Sequence, residues 1–407
     1  MQLFSANIVK AFFGFIGTVF VLRGWSTSDI GDIYTLVGVM LLFQQFGDLG
    51  TGSSFIQMMS RTKKENNLVI ASYLGFKVIV VSVLLIIFIL ICGYYVFVSQ
   101  SPEVYGLATV CMAAIFGVYG GFFAALVTAR QEFPKLSYLK ILPPLVKTIF
   151  IVVLYFLQIT QFFWLLIAFI IPSVVLFTLG FYFTRYPLFR ESTYKSIFSK
   201  RGRQLYDMSR WVFLLGFAQT SFSQIDIFML KRMSSDYQIA QFISAQKLSA
   251  VVLMFSQAIF TVMLPKMRSF KTDEELLGLC KKLFFLYIGC FLLMFPLTYL
   301  APYVVPFVLG AKYAESIPIL KIFVFQALGH MFISSQSLVF YRKNRLPWLV
   351  LFAFLQLGLN FYGNYMVIHE YKALGAVWVS TILNNSFYFV ALLFSVILLK
   401  RNMKKSQ

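Results

Sequence analysis

Ionisable side chains within long apolar runs are the residues of this sequence best suited to chemistry. A charged group inside a bilayer is costly, so each such residue is a functional candidate by default. The set comprises five lysines, two aspartates and one histidine: Lys10, Lys77, Lys147, Lys247, Lys321, Asp48, Asp226 and His330. Because lysine outnumbers aspartate, the runs carry excess positive charge, which predicts an anionic guest.

Three of these residues are predicted to lie at one depth. Turns near residues 28 and 64 would fold the first three runs into hairpins, which brings Lys10, Asp48 and Lys77 to the same level. A turn near residue 234 would likewise place Asp226 one helical turn above Lys247. Two alternatives stay open: the aspartates form structural ion pairs, or Lys77, Lys147 and Lys321 extend to the lipid headgroups.

Neutral polar residues recur at helical spacing in the second half of the chain. Four stripes have this spacing: Gln219, Ser223 and Asp226; Gln326, His330 and Ser334; Gln356, Asn360 and Asn364; and Ser380 with Asn384. One stripe would be explained by helix packing. Four stripes predict the wall of an aqueous cavity, although His330 alone is equally well explained as a packing residue.

The elements that carry these residues are predicted to be transmembrane helices. Of 407 residues, 59% are hydrophobic and 12% are charged, and the mean hydropathy is +0.80. This composition excludes a soluble enzyme, a disordered chain and a disulfide scaffold. Twelve apolar runs are long enough to cross a bilayer: 4–22, 33–58, 68–98, 104–128, 139–157, 162–183, 211–230, 239–264, 283–308, 317–340, 346–367 and 374–399.

The distribution of lysine and arginine predicts the orientation. With the N-terminus inside, the inner loops and tail hold about 25 basic residues and the outer loops about five, as the positive-inside rule requires. We therefore expect both termini in the cytoplasm, and we need no nucleic acid partner to explain the net charge of +20. The long basic connection at 184–210 divides the spans six and six. This division predicts domains 1–205 and 206–407, related as parallel repeats with the substrate path between them.

Motifs for cofactor or nucleotide chemistry are absent from the sequence. It contains no phosphate-binding loop, dinucleotide fingerprint, H-E-x-x-H or G-x-S-x-G, so we expect no cofactor, no catalytic metal and no ATP hydrolysis. The outer loops are short, which argues against a glycan polymerase or ligase. We therefore expect a transporter rather than an enzyme.

Short motifs spread along the chain resemble the Wzx-type polysaccharide flippases of the multidrug/oligosaccharidyl-lipid/polysaccharide exporter superfamily. The segments are 28–34 (SDIGDIY), 47–52 (GDLGTG), 224–230 (QIDIFML), 264–265 (LP), 308–313 (VLGAKY) and 375–377 (GAV). At 231–234 (KRMS) the chain departs from the glycine that is usual in the family. The resemblance implies two six-helix bundles that move an undecaprenyl-pyrophosphate-linked oligosaccharide to the outer leaflet of the bacterial cytoplasmic membrane.

The excess of lysine over aspartate in the spans predicts roles for the candidate residues with such a cargo. Lysines would contact the pyrophosphate, with Lys10 and Lys247 first, then Lys77 and Lys147. Gln219, Asn360, Asn384 and His330 would line the cavity and contact the sugar. Asp48 and Asp226 would couple transport to H⁺ or Na⁺.

The implied setting is the synthesis of O-antigen, capsule or another surface polysaccharide. A polysaccharide polymerase and a chain-length regulator in the same membrane are the implied protein partners. The alternatives are a multidrug or small-cation extruder of the same superfamily, whose cavity should be acidic, and a membrane-embedded glycan polymerase or ligase.

Overall fold

The computed structural model describes residues 2–60, 67–94, 103–186, 196–269, 272–329, 339–340 and 345–406. Every regular element in these ranges is helical, which confirms the predicted all-α fold. The chain forms two compact units, Met1–Ser221 and Phe222–Gln407. The change of unit falls within one helix; the domain boundary expected at residues 205 and 206 stays a prediction.

Unit 1 contains seven helices and the first part of an eighth. Their bounds are α1 Gln2–Gly24, α2 Thr27–Asp48, α3 Thr51–Ser60, α4 Asn67–Tyr94, α5 Glu103–Ala129, α6 Phe133–Phe156, α7 Phe162–Thr184 and α8 Lys200–Met233. Helix α5 packs against α2, α3, α4 and α7, and α1 packs along α6. Tyr73 of α4 is fully buried in an apolar cluster and is stacked on Phe55, with 4.5 Å between ring centroids.

Unit 2 contains the end of α8 and five further helices. Their bounds are α9 Asp236–Ser269, α10 Asp273–Leu297, α11 Ala301–Leu309, α12 Ser316–Gly329 and α13 Leu346–Ser406. Helix α12 packs against α9 and α13, and α10 also packs against α13. A capping box starts α10: the Glu275 N–H donates to Thr272 Oγ1 at 3.3 Å, and the Thr272 N–H donates to Glu275 Oε2 at 3.1 Å. Such reciprocal bonds satisfy two N–H groups that the helix itself cannot.

Nine helices in the described part of the chain are long and apolar enough to cross a membrane. One of them, α13, contains two of the twelve predicted runs, 346–367 and 374–399. Its backbone leaves helical geometry at Lys372, with φ 51° and ψ −133°, so α13 is two helices joined at a kink. Helix α12 is shorter than a span, and residues 330–338 of its predicted run lie outside the described residues.

The structure adds detail to two of the predicted runs. The run 33–58 is broken at Leu49 and Gly50, both with positive φ (48° and 67°), which end α2 and allow α3 to begin. The run 139–157 forms one continuous helix, α6, although Pro143 and Pro144 lie inside it. Neighbouring membrane helices and local adjustments make such prolines tolerable.

Helices α1 and α6 run parallel, with a fixed register. Thr148 Oγ1 donates to Phe13 O at 2.7 Å, and Lys140 Nζ donates to Asn7 Oδ1 at 3.1 Å. The residue numbers rise together on both helices, which sets the direction. At Gly17 a Cβ atom would lie 2.7 Å from Thr148 Oγ1, so glycine permits this close approach.

Candidate functional site

A buried polar cluster in unit 2 is centred on the carboxyl group of Asp226. Asn364 Nδ2 donates to Asp226 Oδ1 at 2.6 Å, and Asn360 Nδ2 donates to the same oxygen at 3.2 Å. Ser380 Oγ donates to Asp226 Oδ2 through a short hydrogen bond. Asp226 is 4% exposed and its three partners are fully buried. Asp226 lies on α8 and the other three lie on α13, on both sides of the kink.

The partners of Asp226 are all neutral. Within the described residues no lysine or arginine pairs with its carboxyl group. Asn360 Oδ1 accepts from Asn364 Nδ2 at 2.8 Å, while Asn364 Oδ1 is buried with no hydrogen-bond partner. The cluster therefore combines an uncompensated carboxyl group with a free amide oxygen. Carboxylate and amide oxygens suit hard cations, and a carboxyl group also binds protons.

The structure explains two of the predicted polar stripes in a way the sequence analysis did not anticipate. Asn360 was expected to contact sugar in an aqueous cavity, but it is fully buried and bonded to Asp226 and Asn364. Asn384 is 4% exposed, and its Nδ2 donates to Gln326 O at 3.4 Å. Asn360 therefore joins α13 to α8 through Asp226, and Asn384 joins α13 to α12. Gln219 is exposed.

A second cluster, in unit 1, joins Lys77 to the end of α2. Lys77 Nζ donates to Asp48 Oδ1 at 2.5 Å, to Gly47 O at 3.1 Å and to Asp48 O at 3.2 Å. Lys77 is 1% exposed, whereas Asp48 is 40% exposed. The ammonium group thus satisfies carbonyls left unpaired at the helix end, where the helix dipole also favours a cation. With three acceptors and no exposed surface, Lys77 is not available to a ligand in this structure.

Lys10, which was predicted at the depth of Asp48 and Lys77, does not contact either residue. Lys10 is exposed on α1 and is not among the partners of Asp48 or Lys77. The reason is that α1 packs along α6, so the polar residues of α1 lie beside α6. There Asn7 accepts from Lys140, and Lys10 follows Asn7 by three residues on the same face.

The other predicted lysines lie apart from both clusters. Lys147 Nζ lies 3.2 Å from the ring centroid of Phe169, a cation–π contact. Lys247 is half-buried on α9 and does not contact Asp226, and Lys321 is half-buried on α12. His330 and Ser334 lie outside the described residues.

The sequence analysis missed the neighbourhood of Lys140 and Asn7. Lys140 was not among the ionisable residues named as candidates, whereas the structure places it inside α6 beside Asn7 of α1. No signal in the sequence pointed to the contact with Asn7, because helical spacing gives the face of one helix and not its neighbour.

Comparison with known sequences identifies the family of this chain. The sequence profile described as "Polysaccharide biosynthesis protein" matches residues 1–271. The chain belongs to this family. No curated protein sequence is significantly similar to it.

Solved structures with the same architecture are transporters. "Lipid II flippase MurJ, inward closed conformation" matches with a TM-score of 0.70 at 16% identity, covering 97% of this chain and 87% of that chain. A MOP superfamily transporter from Pyrococcus furiosus matches with a TM-score of 0.65 at 14% identity, covering 98% and 94%. An outward-facing multidrug resistance MATE transporter of the MOP superfamily gives 0.63 at 14% identity, covering 99% and 95%. At these identities the likeness shows the fold alone: a multi-pass helical membrane transporter architecture.

Proposed function

We propose that this family member is a flippase that moves an undecaprenyl-pyrophosphate-linked oligosaccharide from the inner to the outer leaflet of the bacterial cytoplasmic membrane. The observation that carries the proposal is the match to a polysaccharide biosynthesis family on a transporter fold that a lipid II flippase shares. The glycan would serve O-antigen, capsule or another surface polysaccharide. A polymerase and a chain-length regulator would act on it after transfer.

The physical task is to carry a charged, sugar-bearing headgroup through about 30 Å of hydrocarbon. Basic side chains within the spans lower the cost of the phosphate charges. Lys10 is exposed on α1, and Lys147 lies half-buried on α6. These two lysines and Lys247, half-buried on α9, remain candidates for phosphate contact. The Lys77 ammonium group is already bonded to three acceptors at the end of α2.

Deletion of the gene tests this function. We expect the lipid-linked oligosaccharide to accumulate on the inner leaflet and the surface glycan to disappear, with complementation restoring both. Mass spectrometry of extracted lipids measures the intermediate and also identifies the glycan. A deletion strain that keeps its surface glycan and accumulates no lipid-linked intermediate would refute the proposal.

The second candidate is a multidrug or small-cation extruder, favoured by the MATE transporters among the structural neighbours. An extruder of cations needs acidic groups open to its pathway. Here Asp226 is buried and Asp48 is paired with Lys77. The same deletion strain separates the two functions, since an extruder would alter drug susceptibility and leave the glycan intact.

Asp226 is the residue we propose for coupling transport to an ion gradient. Its carboxyl group has only neutral partners, and Asn364 offers a spare oxygen beside it. Occupation by H⁺ or Na⁺ would change the attraction between α8 and α13, which is how an ion would bias a two-state equilibrium. The second carboxylate, Asp48, is the weaker coupling candidate because Lys77 already neutralises it.

Ion-dependent stability tests the coupling site directly. In purified wild-type protein, replacing choline chloride by NaCl at constant ionic strength should raise the melting temperature, because a ligand of the native state stabilises it. Asp226→Asn should abolish the increase. Asp236→Asn should retain it, because the Asp236 carboxylate pairs with Lys231 at 2.5 Å, away from the cluster.

A proton-coupled transporter would give no Na⁺ effect in that assay, and its transport into proteoliposomes would follow a pH gradient instead. Transport that is independent of both gradients would rule out a coupling role for Asp226. Transport by the Asp226→Asn variant that still depends on a gradient would also rule it out.

A further inference from the structure

The kink in α13 is a strained point in the backbone of unit 2. Lys372 has φ 51° and ψ −133°, and residues other than glycine rarely adopt a positive φ. The two halves of α13 pack against each other across the kink. At Gly363 a Cβ atom would lie 2.8 Å from Val379 Cγ1. The kink therefore determines how residues of one half line up with residues of the other.

This alignment brings two donors to the same carboxyl group. Asn364 lies eight residues before Lys372, and Ser380 lies eight residues after it. Equal separation from the kink places both at the same depth. Asn364 Nδ2 donates to Asp226 Oδ1 at 2.6 Å, and Ser380 Oγ donates to Asp226 Oδ2. A change in the kink would move one donor relative to the other, so the carboxyl group would lose one of its hydrogen bonds.

The side chain of Gln238, on α9, holds the backbone next to the kink. The Ala373 N–H donates to Gln238 Oε1 at 3.4 Å. Ala373 is fully buried and Gln238 is 9% exposed, so this bond satisfies a buried N–H group. The other end of the same amide donates from Nε2 to Glu315 Oε2 at 2.9 Å, in the turn before α12. A strained backbone conformation persists only where its surroundings hold it, and this bridge supplies such a restraint.

Gln238 acts on the Asp226 cluster from a distance. Helices α8 and α9 meet near residue 234, which puts Gln238 level with about residue 231 and about 8 Å from Asp226 along the helix axis. We propose that Gln238 is a positioning residue for the cluster: it holds the kink in the conformation that brings donors from both halves of α13 to one carboxyl group. The inference rests on the proposed coupling role of Asp226 and extends it to a residue outside the cluster.

A double-mutant cycle on the purified full-length chain tests this indirect action. Melting temperatures are measured for the wild type, Gln238→Leu, Asp226→Leu and the double variant. Substitutions at separate sites with no shared partner normally have additive effects. The decrease caused by Gln238→Leu should be smaller by about half or more in the Asp226→Leu background, because the kink then has no carboxyl group to position. The same cycle with Gln238→Met, which keeps the length of the side chain, replaces it if Gln238→Leu does not fold.

Gln241→Leu is the matched control. Gln241 is a fully buried glutamine of the same helix, and its Nε2 donates to Lys312 O at 2.8 Å. This bond joins α9 to the turn after α11 and not to the kink. Gln241→Leu should therefore destabilise the protein by the same amount with and without Asp226→Leu.

An exchange of the two bridging side chains tests the contacts themselves. The variant Gln238→Glu/Glu315→Gln keeps an oxygen for the Ala373 N–H and keeps one donor and one acceptor between the exchanged positions. It should melt close to the wild-type temperature, whereas Gln238→Glu alone should melt lower because two carboxylates then face each other.

Three results would overturn the inference: additive effects in the Gln238 cycle, equal non-additivity in the Gln241 cycle, or an exchanged pair as unstable as Gln238→Leu. The proposed coupling role fails separately. If the Gln238 cycle is non-additive but Asp226→Asn keeps its gradient dependence, Gln238 positions the cluster and the coupling role is wrong. If the cycle is additive but Asp226→Asn loses gradient dependence, the coupling role stands and the positioning role is wrong.

Discussion

The ammonium group of Lys77 shows how a membrane-buried charge can be structural. Its three acceptors are the Asp48 carboxylate and the carbonyls of Gly47 and Asp48, all at the end of α2. A buried ion pair contributes little net stability, but removing one partner leaves an uncompensated charge. The two partners are unequal here, because Lys77 is 1% exposed and Asp48 is 40% exposed.

This asymmetry predicts different costs for the two single substitutions. Asp48→Ala leaves the buried Lys77 ammonium group without its carboxylate partner. It should lower the free energy of unfolding by about 3–5 kcal/mol. Lys77→Met should cost less, since water can still reach the Asp48 carboxylate. Unfolding equilibria in mixed micelles provide the measurement.

The double variant Asp48→Ala/Lys77→Met supplies the internal control. It should be more stable than Asp48→Ala alone, because it no longer contains the unpaired Lys77 ammonium group. A double variant that is less stable than either single variant would show that the pair is not coupled in this way.

Residue spacing predicted part of the candidate site. Helical periodicity selected Asp226, Asn360, Asn364 and Ser380 as polar positions on helix faces, and the structure brings these four together. Periodicity gives the face of one helix but not the helix opposite, so hydrogen bonding between the stripes could not be predicted. The hairpin predicted a shared depth for Lys77 and Asp48, and their ion pair was one of the alternatives left open.

At the scale of elements, the break between α2 and α3 depends on Gly50. Its φ is +67°, and a Cβ atom there would lie 2.6 Å from Phe213 N and 2.7 Å from Ser209 O. The glycine therefore serves two purposes: it accepts a left-handed conformation and lets the backbone of α8 approach. The preceding Leu49, at φ 48° and ψ 24°, also adopts this conformation.

Gly50→Ala should consequently destabilise unit 1 by about 2 kcal/mol or more, since it combines backbone strain of about 1–3 kcal/mol with a steric clash. Gly121→Ala is the matched control: nothing lies within 4 Å of its Cβ position in α5, so alanine should be neutral or stabilise by up to about 1 kcal/mol. Thermal unfolding of the two variants should separate them, and equal melting temperatures would contradict the role assigned to Gly50.

Most helices were predictable from apolar run length, whereas the break in the second run was not. The hydropathy pattern predicts one continuous apolar run through Asp48, because hydropathy contains no information on backbone dihedral angles. Gly50 gave a stop signal of the usual kind, but glycine is also common within membrane helices. The predicted span at 139–157 is present as α6, which accommodates Pro143 and Pro144.

At the scale of the whole molecule, the orientation in the membrane remains the main prediction. It rests on the concentration of lysine and arginine in alternate loops, which the fold does not test. Two exposed positions would fall on opposite faces of the membrane: Phe198, 89% exposed before α8, and Ala311 in the turn after α11.

Single cysteines at these two positions, in a chain whose four natural cysteines are replaced, give the test. A membrane-impermeant maleimide should label Ala311→Cys in intact spheroplasts, because the positive-inside rule puts the turn after α11 outside. It should label Phe198→Cys only after the membrane is permeabilised, because the basic segment 184–210 is expected inside. Labelling after permeabilisation in both variants controls for reactivity. The reverse pattern would show that the topology is inverted.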